Sequence, residues 1–246
     1  MNKLILTALL LGAAFLQTLS AKTTTATNAT TSASSNVGDF IELRVNGALN
    51  VDYVCSPDSA GMVIVTAPRN QINWVEAQNK KGKLTISLNV PEDVLSAPAT
   101  LPSVRVYSNF LNRVENQGDS TVRVLIATPV PDFTARVVGN GRVVVRSIRA
   151  TNLNCSIITG HGQIVAYGTA TNATYSLAGT GVIQADEVES KTASVNCTGT
   201  GTVGVNASEK LTVSGMGSGT VYYSGKPEIT KKMSLGVKIK SIEEAN

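Results

Sequence analysis

Histidine, tryptophan and cysteine are scarce in this chain of 246 residues, which contains one His, one Trp and three Cys. Because His and Cys supply most zinc ligands, their scarcity argues against a histidine-based metal site. A Ser-His-Asp triad or a Cys-His dyad would depend on the single histidine, His161. Charged residues are also few, at 15%, and the formal net charge of +4 is too small to indicate a nucleic-acid-binding surface. Apolar residues make up 42%, which is enough for a buried core.

The N-terminus is typical of an export signal. Asn2 and Lys3 precede an apolar run from Leu4 to Leu16, which is too short to cross a bilayer core of roughly 30 Å as a helix. Small residues follow, and we predict cleavage by signal peptidase after Ala21. We therefore expect an exported protein, in the periplasm, on the outer cell surface or secreted, with no transmembrane segment after signal cleavage.

The second half of the chain is a sequence repeat. A Gly-x-Gly frame followed by one residue and then Val or Ile recurs five times. The frames begin at Gly139, Gly160, Gly179, Gly199 and Gly217. A period near 20 residues is typical of a stacked solenoid.

The residues around each frame alternate between apolar and polar, as in the segment Ala193–Thr198. This period of two predicts strands with one buried face, joined at the Gly-x-Gly bend. The glycines indicate either a positive φ or a close approach to the neighbouring coil. We predict an all-β fold, a parallel β-helix with about 20 residues per coil. Cys155 and Cys197 would lie two coils apart, at least about 9 Å, which is too far for a disulfide.

The first half of the chain does not follow this repeat. Alternating apolar residues predict strands in the segment 40–54, with a hairpin-type turn at Asn46-Gly47. We interpret this half as an atypical N-terminal β cap that leads into the solenoid. The predicted organisation is a signal peptide at 1–21, a flexible Thr/Ser-rich linker at 22–37, a β cap with the first coils at 38–132, the Gly-x-Gly β-helix at 133–225, and a C-terminal cap and tail at 226–246.

The order of these motifs resembles a known family. An initial strand ends in Val45-Asn-Gly47, a Pro-containing connector follows, and the tandem repeats close with the segment 217–227. Over roughly residues 38–242 the chain is similar to the auto-transporter adhesin, head GIN domain family (DUF2807). The resemblance implies a right-handed β-helix and an adhesive role. The Asp that often follows the family's Gly-Ser-Gly is absent here, where the position holds Arg142, Gln163, Val182, Thr202 and Thr220, and this weakens any analogy with calcium-binding repeats.

Three groups of side chains are candidates for chemistry. His161 occupies the variable polar position of a bend, and we interpret it as a bend residue. Glu189 and Glu209 are one repeat apart and would stack on one edge, as an acid pair in a carbohydrate-active enzyme requires, but beside Lys191 and Lys210 we interpret them as a solvated mix of charges. Five lysines between 226 and 240 are interpreted as a charged cap against end-to-end stacking, with a patch for anionic glycans or lipid headgroups as the alternative.

The leading functional hypothesis is a non-enzymatic, adhesin-like cell-envelope or surface protein. Its outward Thr, Ser and Asn side chains would form a flat face that suits glycans or extracellular matrix proteins. The alternatives are a carbohydrate-active β-helix enzyme, a polysaccharide hydrolase or lyase, and an envelope scaffold that forms a homo-oligomer. We assign no catalytic, cofactor-binding or metal-binding residue from the sequence, and we expect no cofactor and no nucleic-acid partner.

Overall fold

The structure is a computed structural model that describes residues 29–92 and 100–242. The predicted signal peptide and the start of the predicted linker lie outside these residues. The described strands are β1 (Thr30–Asn36), β2 (Glu42–Asn46), β3 (Asn50–Cys55), β4 (Met62–Pro68), β5 (Val75–Lys80), β6 (Lys83–Leu88), β7 (Ser103–Ser108), β8 (Arg113–Asn116), β9 (Thr121–Ile126), β10 (Val130–Val137), β11 (Arg142–Ile157), β12 (Gln163–Gly179), β13 (Val182–Gly199), β14 (Thr202–Met216), β15 (Thr220–Ser224), β16 (Glu228–Leu235) and β17 (Lys238–Ser241). Short 3-10 turns lie at Pro57–Ser59 and Ile72–Trp74.

These strands form one curled sheet, a β-solenoid of about 6 turns roughly 20 residues apart, which confirms the predicted architecture. Strands of successive repeats pair in parallel, for example β12 with β13. The alternation seen in the sequence places every second side chain inside, where like positions stack. One inner ladder runs through Cys155, Tyr175, Val195 and Val213, all of them fully buried.

Each repeat coil has three sides, as the coil containing β11 shows. The alternation of buried and exposed residues breaks at 146–147 and at 151–152, so residues 142–145 follow the Gly-x-Gly bend, residues 148–151 form a short side, and residues 152–157 form a long side that leads to the next bend. The register between β11 and β12 shifts at the corner between 145 and 148, where Ser147 has a positive φ of 61°. The short side and the long side carry the features described below.

The two glycines of a bend are required for different reasons. The first glycine of the third frame, Gly179, has a φ of +115°, which side chains rarely adopt. The second, Gly181, has an ordinary φ, but a Cβ there would overlap the carbonyl oxygen of Gly162 in the preceding coil. Both reasons expected from the sequence therefore apply, one at each glycine.

The N-terminal cap departs from sequential stacking. The pair β2 and β3 lies between β6 and β7 on one side and β8 and β9 on the other. The prediction of a hairpin at Asn46-Gly47 was therefore wrong, because β2 and β3 pair with other strands and not with each other. Gly47 is instead the bend of the first coil, and a Cβ on Gly118 of the next coil would overlap its carbonyl oxygen.

The prediction of a flexible linker was wrong for Thr30–Asn36, which forms β1. This strand pairs antiparallel with β4 over its full length, and the hydroxyls of Ser32 and Thr66 are 3.0 Å apart. Backbone hydrogen bonds supply this pairing, so the strand needs no apolar side chains of its own.

Two buried carboxylates, those of Asp52 and Glu115, form ion pairs between the coil of β2 and β3 and the coils on either side of it. Asp52 on β3 accepts hydrogen bonds from Arg123 Nε at 2.6 Å and Nη2 at 2.9 Å, and Arg105 on β7 is 4.0 Å away. Its charge therefore lies between two arginines on the strands to either side. Because the arginine side chains are about half exposed, each pair contributes modestly to stability.

Glu115 on β8 is surrounded in a similar way. Its carboxylate lies 3.4 Å from Arg44 Nε and 3.2 Å from Arg113 Nη2, and it accepts a hydrogen bond from Gln117. Burial works to raise the pKa of Glu115, but the Gln117 hydrogen bond and the guanidinium groups of Arg44, Arg113 and Arg136 outweigh it and lower that pKa.

The three cysteines are free thiols. Cys155 and Cys197 belong to different inner ladders, and burial raises the pKa of the Cys155 thiol to about 12. Burial also raises the pKa of the inner Tyr53 and Tyr175 phenols.

Candidate functional site: a polar face and a groove

The long side of the repeat coils presents an outward face of amides and hydroxyls, which we call the polar face (the outward side chains of 132–136, 152–156, 172–176, 192–196 and 210–214). Parallel pairing keeps equivalent side chains in columns, one strand spacing of about 4.8 Å apart. One column contains Thr134, Asn154, Thr174, Ser194 and Thr212. The expected Thr/Ser/Asn face is therefore present in the structure.

The column next to the short side is a chain of hydrogen bonds between side chains. Thr192 donates to Asn172 Oδ1 at 3.0 Å, Asn172 Nδ2 donates to Asn152 at 3.1 Å, and Asn152 Nδ2 donates to Asp132 at 2.8 Å. All donors point the same way, and the chain ends on a carboxylate. Such a chain fixes the orientation of each amide, which leaves the unused donors and acceptors preorganised for a ligand.

A shallow groove, wide open to solvent, runs beside this column, along the short sides of six successive coils. It consists of three depressions of about 440, 450 and 520 Å³. Residues 129–131 line two of them and Thr169 also lines two, so the depressions adjoin one another in a row. From the coil of Phe110 to the coil of Ser208 the groove crosses five strand spacings, roughly 24 Å.

The lining of the groove is mixed in chemistry. At one end the ring of Phe110 is 42% exposed and lies beside Asn112. At the other end Glu189 and Lys191 present opposite charges. There the buried Ser190 hydroxyl donates to the carbonyl oxygen of Asn206 at 2.6 Å and so anchors the groove floor across two coils. An open, elongated groove with one exposed ring and many hydrogen-bonding groups fits an extended polar chain.

The acid pair expected for an enzyme is not assembled. Glu189 lies opposite Asn206, since the corner of the next coil is three residues shorter between Val205 and Asn206. The prediction that Glu189 and Glu209 stack was therefore wrong. Both side chains are exposed, and Glu189 is the only acid lining its depression.

The remaining candidates stay at the bends. His161 is exposed, and its backbone N–H donates to Asn140 Oδ1 at 3.1 Å. Among residues 29–92 and 100–242, no group of three or more His, Cys, Asp or Glu side chains could hold a metal ion. The sequence does not predict the groove, because the residues that line it share no motif.

The sequence profile described as "Putative auto-transporter adhesin, head GIN domain" (DUF2807) matches residues 39–227. The chain belongs to this family. The GIN-domain match covers the cap and all five Gly-x-Gly frames, so the resemblance expected from the motifs is confirmed. No curated protein sequence matches the chain.

Solved structures similar to this GIN-domain chain show the same fold. A putative adhesin from Bacteroides fragilis NCTC 9343 is 21% identical with a TM-score of 0.77, and the match covers 87% of this chain and 97% of the other. A putative adhesin from Parabacteroides distasonis ATCC 8503 is 22% identical with a TM-score of 0.70, covering 87% and 98%. A putative lipid binding protein from the same Parabacteroides strain is 22% identical with a TM-score of 0.68, covering 87% and 96%.

The family suggests a surface or exported protein of adhesin type. Within the described part of the chain, no helix is both long enough and apolar enough to cross a membrane.

Proposed function

We propose that this GIN-domain protein is an exported, non-enzymatic adhesin that binds an extended glycan lengthwise in the groove. The observation that carries the proposal is the row of adjoining, shallow depressions beside the hydrogen-bonded column Asp132–Asn152–Asn172–Thr192. Sugar hydroxyls both donate and accept hydrogen bonds, as do the amides and hydroxyls of this column. The exposed ring of Phe110 offers an apolar surface for the C–H face of a sugar.

The family supports an adhesin, and one structural neighbour carries the name of a lipid binding protein. The depression at the Glu189 end favours a glycan over an acyl chain, because it is lined by hydroxyls and by the charged Glu189 and Lys191, whereas the other two depressions also contain apolar side chains such as Phe110, Pro129 and Val130. An apolar chain would leave these polar groups without partners. The carbohydrate-active enzyme alternative lacks its acid pair, as described above.

Glycan binding is tested by screening the purified protein on a glycan array and titrating the best ligand by calorimetry. Phe110→Ala and Asn172→Ala are each expected to weaken binding by about tenfold, the effect of losing one good contact. Asn140→Ala is the matched control, because Asn140 also bonds to a neighbouring coil but lies at the bend. Absence of any bound glycan, or equal affinity in all three variants, would refute the proposal.

The exported location is tested separately, by treating intact producing cells with protease or an impermeant label. We expect the protein to be reached in intact cells. Protection until the outer membrane is broken would exclude external adhesion.

A further inference from the structure

The two ends of the solenoid are closed to different extents. At the N-terminal end, antiparallel strands β4 and β5 cover the core, and their Val63 and Val75 are fully buried. At the other end lies the terminal coil (residues 226–242), which contains β16 and β17. Among the described residues, these strands pair only with β14 and β15, so their outer edges have no partner strand.

The terminal coil and the preceding bend expose large apolar side chains. Met233 is 90% exposed, Leu235 70%, Met216 62% and Ile229 37%. Ile229 is the last rung of the inner ladder that contains Leu211. Apolar surface that the repeats bury elsewhere is therefore presented to solvent at this end.

The excess positive charge of the protein is concentrated on the same coil. Between 226 and 242 there are five lysines and a single acid, Glu228, which gives a net charge of +4, and two further acids, Glu243 and Glu244, follow in the sequence. The whole chain also has a formal net charge of +4, so the rest of the sequence is neutral on balance. All five lysines are exposed, and none forms an ion pair within the part of the chain that the structure describes.

The geometry of this edge disfavours another β-strand as the partner. The register between β14 and β16 shifts between Val213 and Gly215, and Met233 adopts a positive φ of 39° at that bulge. Lys231 takes the position that Val213 occupies in the ladder. Bulges and lysines at such positions are the devices by which proteins prevent strand addition at an edge. A second copy docked through the same end would also bring the two lysine clusters together.

We propose that the terminal coil docks on the surface of an anionic phospholipid bilayer. Met233 and Leu235 enter the headgroup region, and the surrounding lysines lie against the lipid phosphates. Apolar side chains and lysines act together in this kind of interfacial binding, since neither alone gives stable attachment. The solenoid then stands on the membrane by its end.

The test is co-sedimentation of the protein with unilamellar vesicles, made either of phosphatidylcholine alone or of phosphatidylcholine with about 30 mol% phosphatidylglycerol. We expect binding to the anionic vesicles that weakens with added salt. Lys231→Gln/Lys232→Gln is expected to lower the partition coefficient roughly tenfold or more, because each lysine near an anionic surface contributes about fivefold. Met233→Ser/Leu235→Ser, which keeps the charge, is expected to lower it by at least about tenfold.

The matched controls lie elsewhere on the molecule. Lys80→Gln/Lys81→Gln removes two adjacent exposed lysines from the opposite end, and Ile126→Ser removes an exposed apolar side chain outside the terminal coil. Both are expected to bind like the unaltered protein, and circular dichroism checks that every variant is folded. The proposal is overturned by absence of binding to anionic vesicles, by equal losses in the controls, or by a dimer in lipid-free solution that Met233→Ser/Leu235→Ser dissociates.

Discussion

Gly139 and Gly141 lie in the same bend, and each must be glycine for a different reason. Gly139 needs an unusual backbone conformation, and Gly141 lacks space for a side chain. An alanine Cβ at Gly141 would lie closer than 3.0 Å to the carbonyl oxygen of Gly118, whereas at Gly139 it would meet nothing within 4 Å. Gly139 instead has a φ of +104°. Gly139→Ala is therefore expected to cost only the backbone strain of an L-residue in this region, about 1–2 kcal/mol.

Gly141→Ala is expected to cost more, because the two coils must move apart at this bend. The hydrogen bonds at risk between these two coils run from Arg142 N to Ser120 O at 3.0 Å and from Asn116 Nδ2 to Arg142 O at 3.1 Å. Each contributes about 1 kcal/mol net, and a buried group left unpaired costs about 1–3 kcal/mol. We expect a total loss of about 3–5 kcal/mol in the free energy of unfolding.

The measurement is urea unfolding of both variants and the unaltered protein, followed by far-UV circular dichroism. The difference between the urea midpoints reports the difference in the free energy of unfolding if the dependence on urea concentration has the same slope in all three proteins. Equal costs for the two variants, or a cost for Gly141→Ala below that for Gly139→Ala, would show that coil stacking does not select the second glycine.

Two further predictions concern buried polar groups. Glu115→Gln is expected to lower the free energy of unfolding at neutral pH by about 1–2 kcal/mol, a figure discounted because the arginine partners are partly exposed. Because the folded state lowers the pKa of Glu115, its stabilisation is present above the unfolded-state value of 4.5 and is lost as the pH falls through the folded-state pKa. The variant should therefore lose less stability than the unaltered protein below about pH 4.5, and parallel acid unfolding curves would contradict this. Tyr53→Phe should cost about 1 kcal/mol, since the Tyr53 hydroxyl lies 2.9 Å from the buried Ser108 hydroxyl. Tyr175→Phe should be neutral or stabilising, since the Tyr175 hydroxyl is buried without a hydrogen-bond partner among residues 29–92 and 100–242. Thermal unfolding of the two variants compares them, and an equal loss would refute the distinction.

The repeat half of the fold could be predicted because its information is local and periodic. Alternation around each Gly-x-Gly frame defines an inner face, and the spacing of the frames defines the coil. The cap could not be predicted in the same way. Asn46-Gly47 carries the signature of a hairpin, and the same two residues also suit a solenoid bend, so only the long-range pairing of β2 with β6 and β8 distinguishes the two.

The candidate site was predicted in part. The polar face follows from the outward half of the alternation, and it is present. The groove depends on short-side residues of different sequence, such as Pro129, Arg149 and Thr169, that meet only when the coils stack. A fixed period of 20 residues predicts that Glu189 and Glu209 stack. They do not, because the coil of Glu209 is shorter at the corner between Val205 and Asn206.

The strands of the cap do not stack in sequence order, so the cap is a unit of fixed size. The stacked repeats at 133–225 can vary in number by whole coils. Strands β2 and β3 have both neighbours only when residues up to Ile126 are present, so the cap needs this whole stretch of chain to be complete. The coils of 133–225 are stacked in sequence order, and each contacts chiefly the coil before it and the coil after it. Insertion or loss of a whole 20-residue unit in that section would alter the length of the groove and the height of the molecule, and would leave the cap and the terminal coil intact.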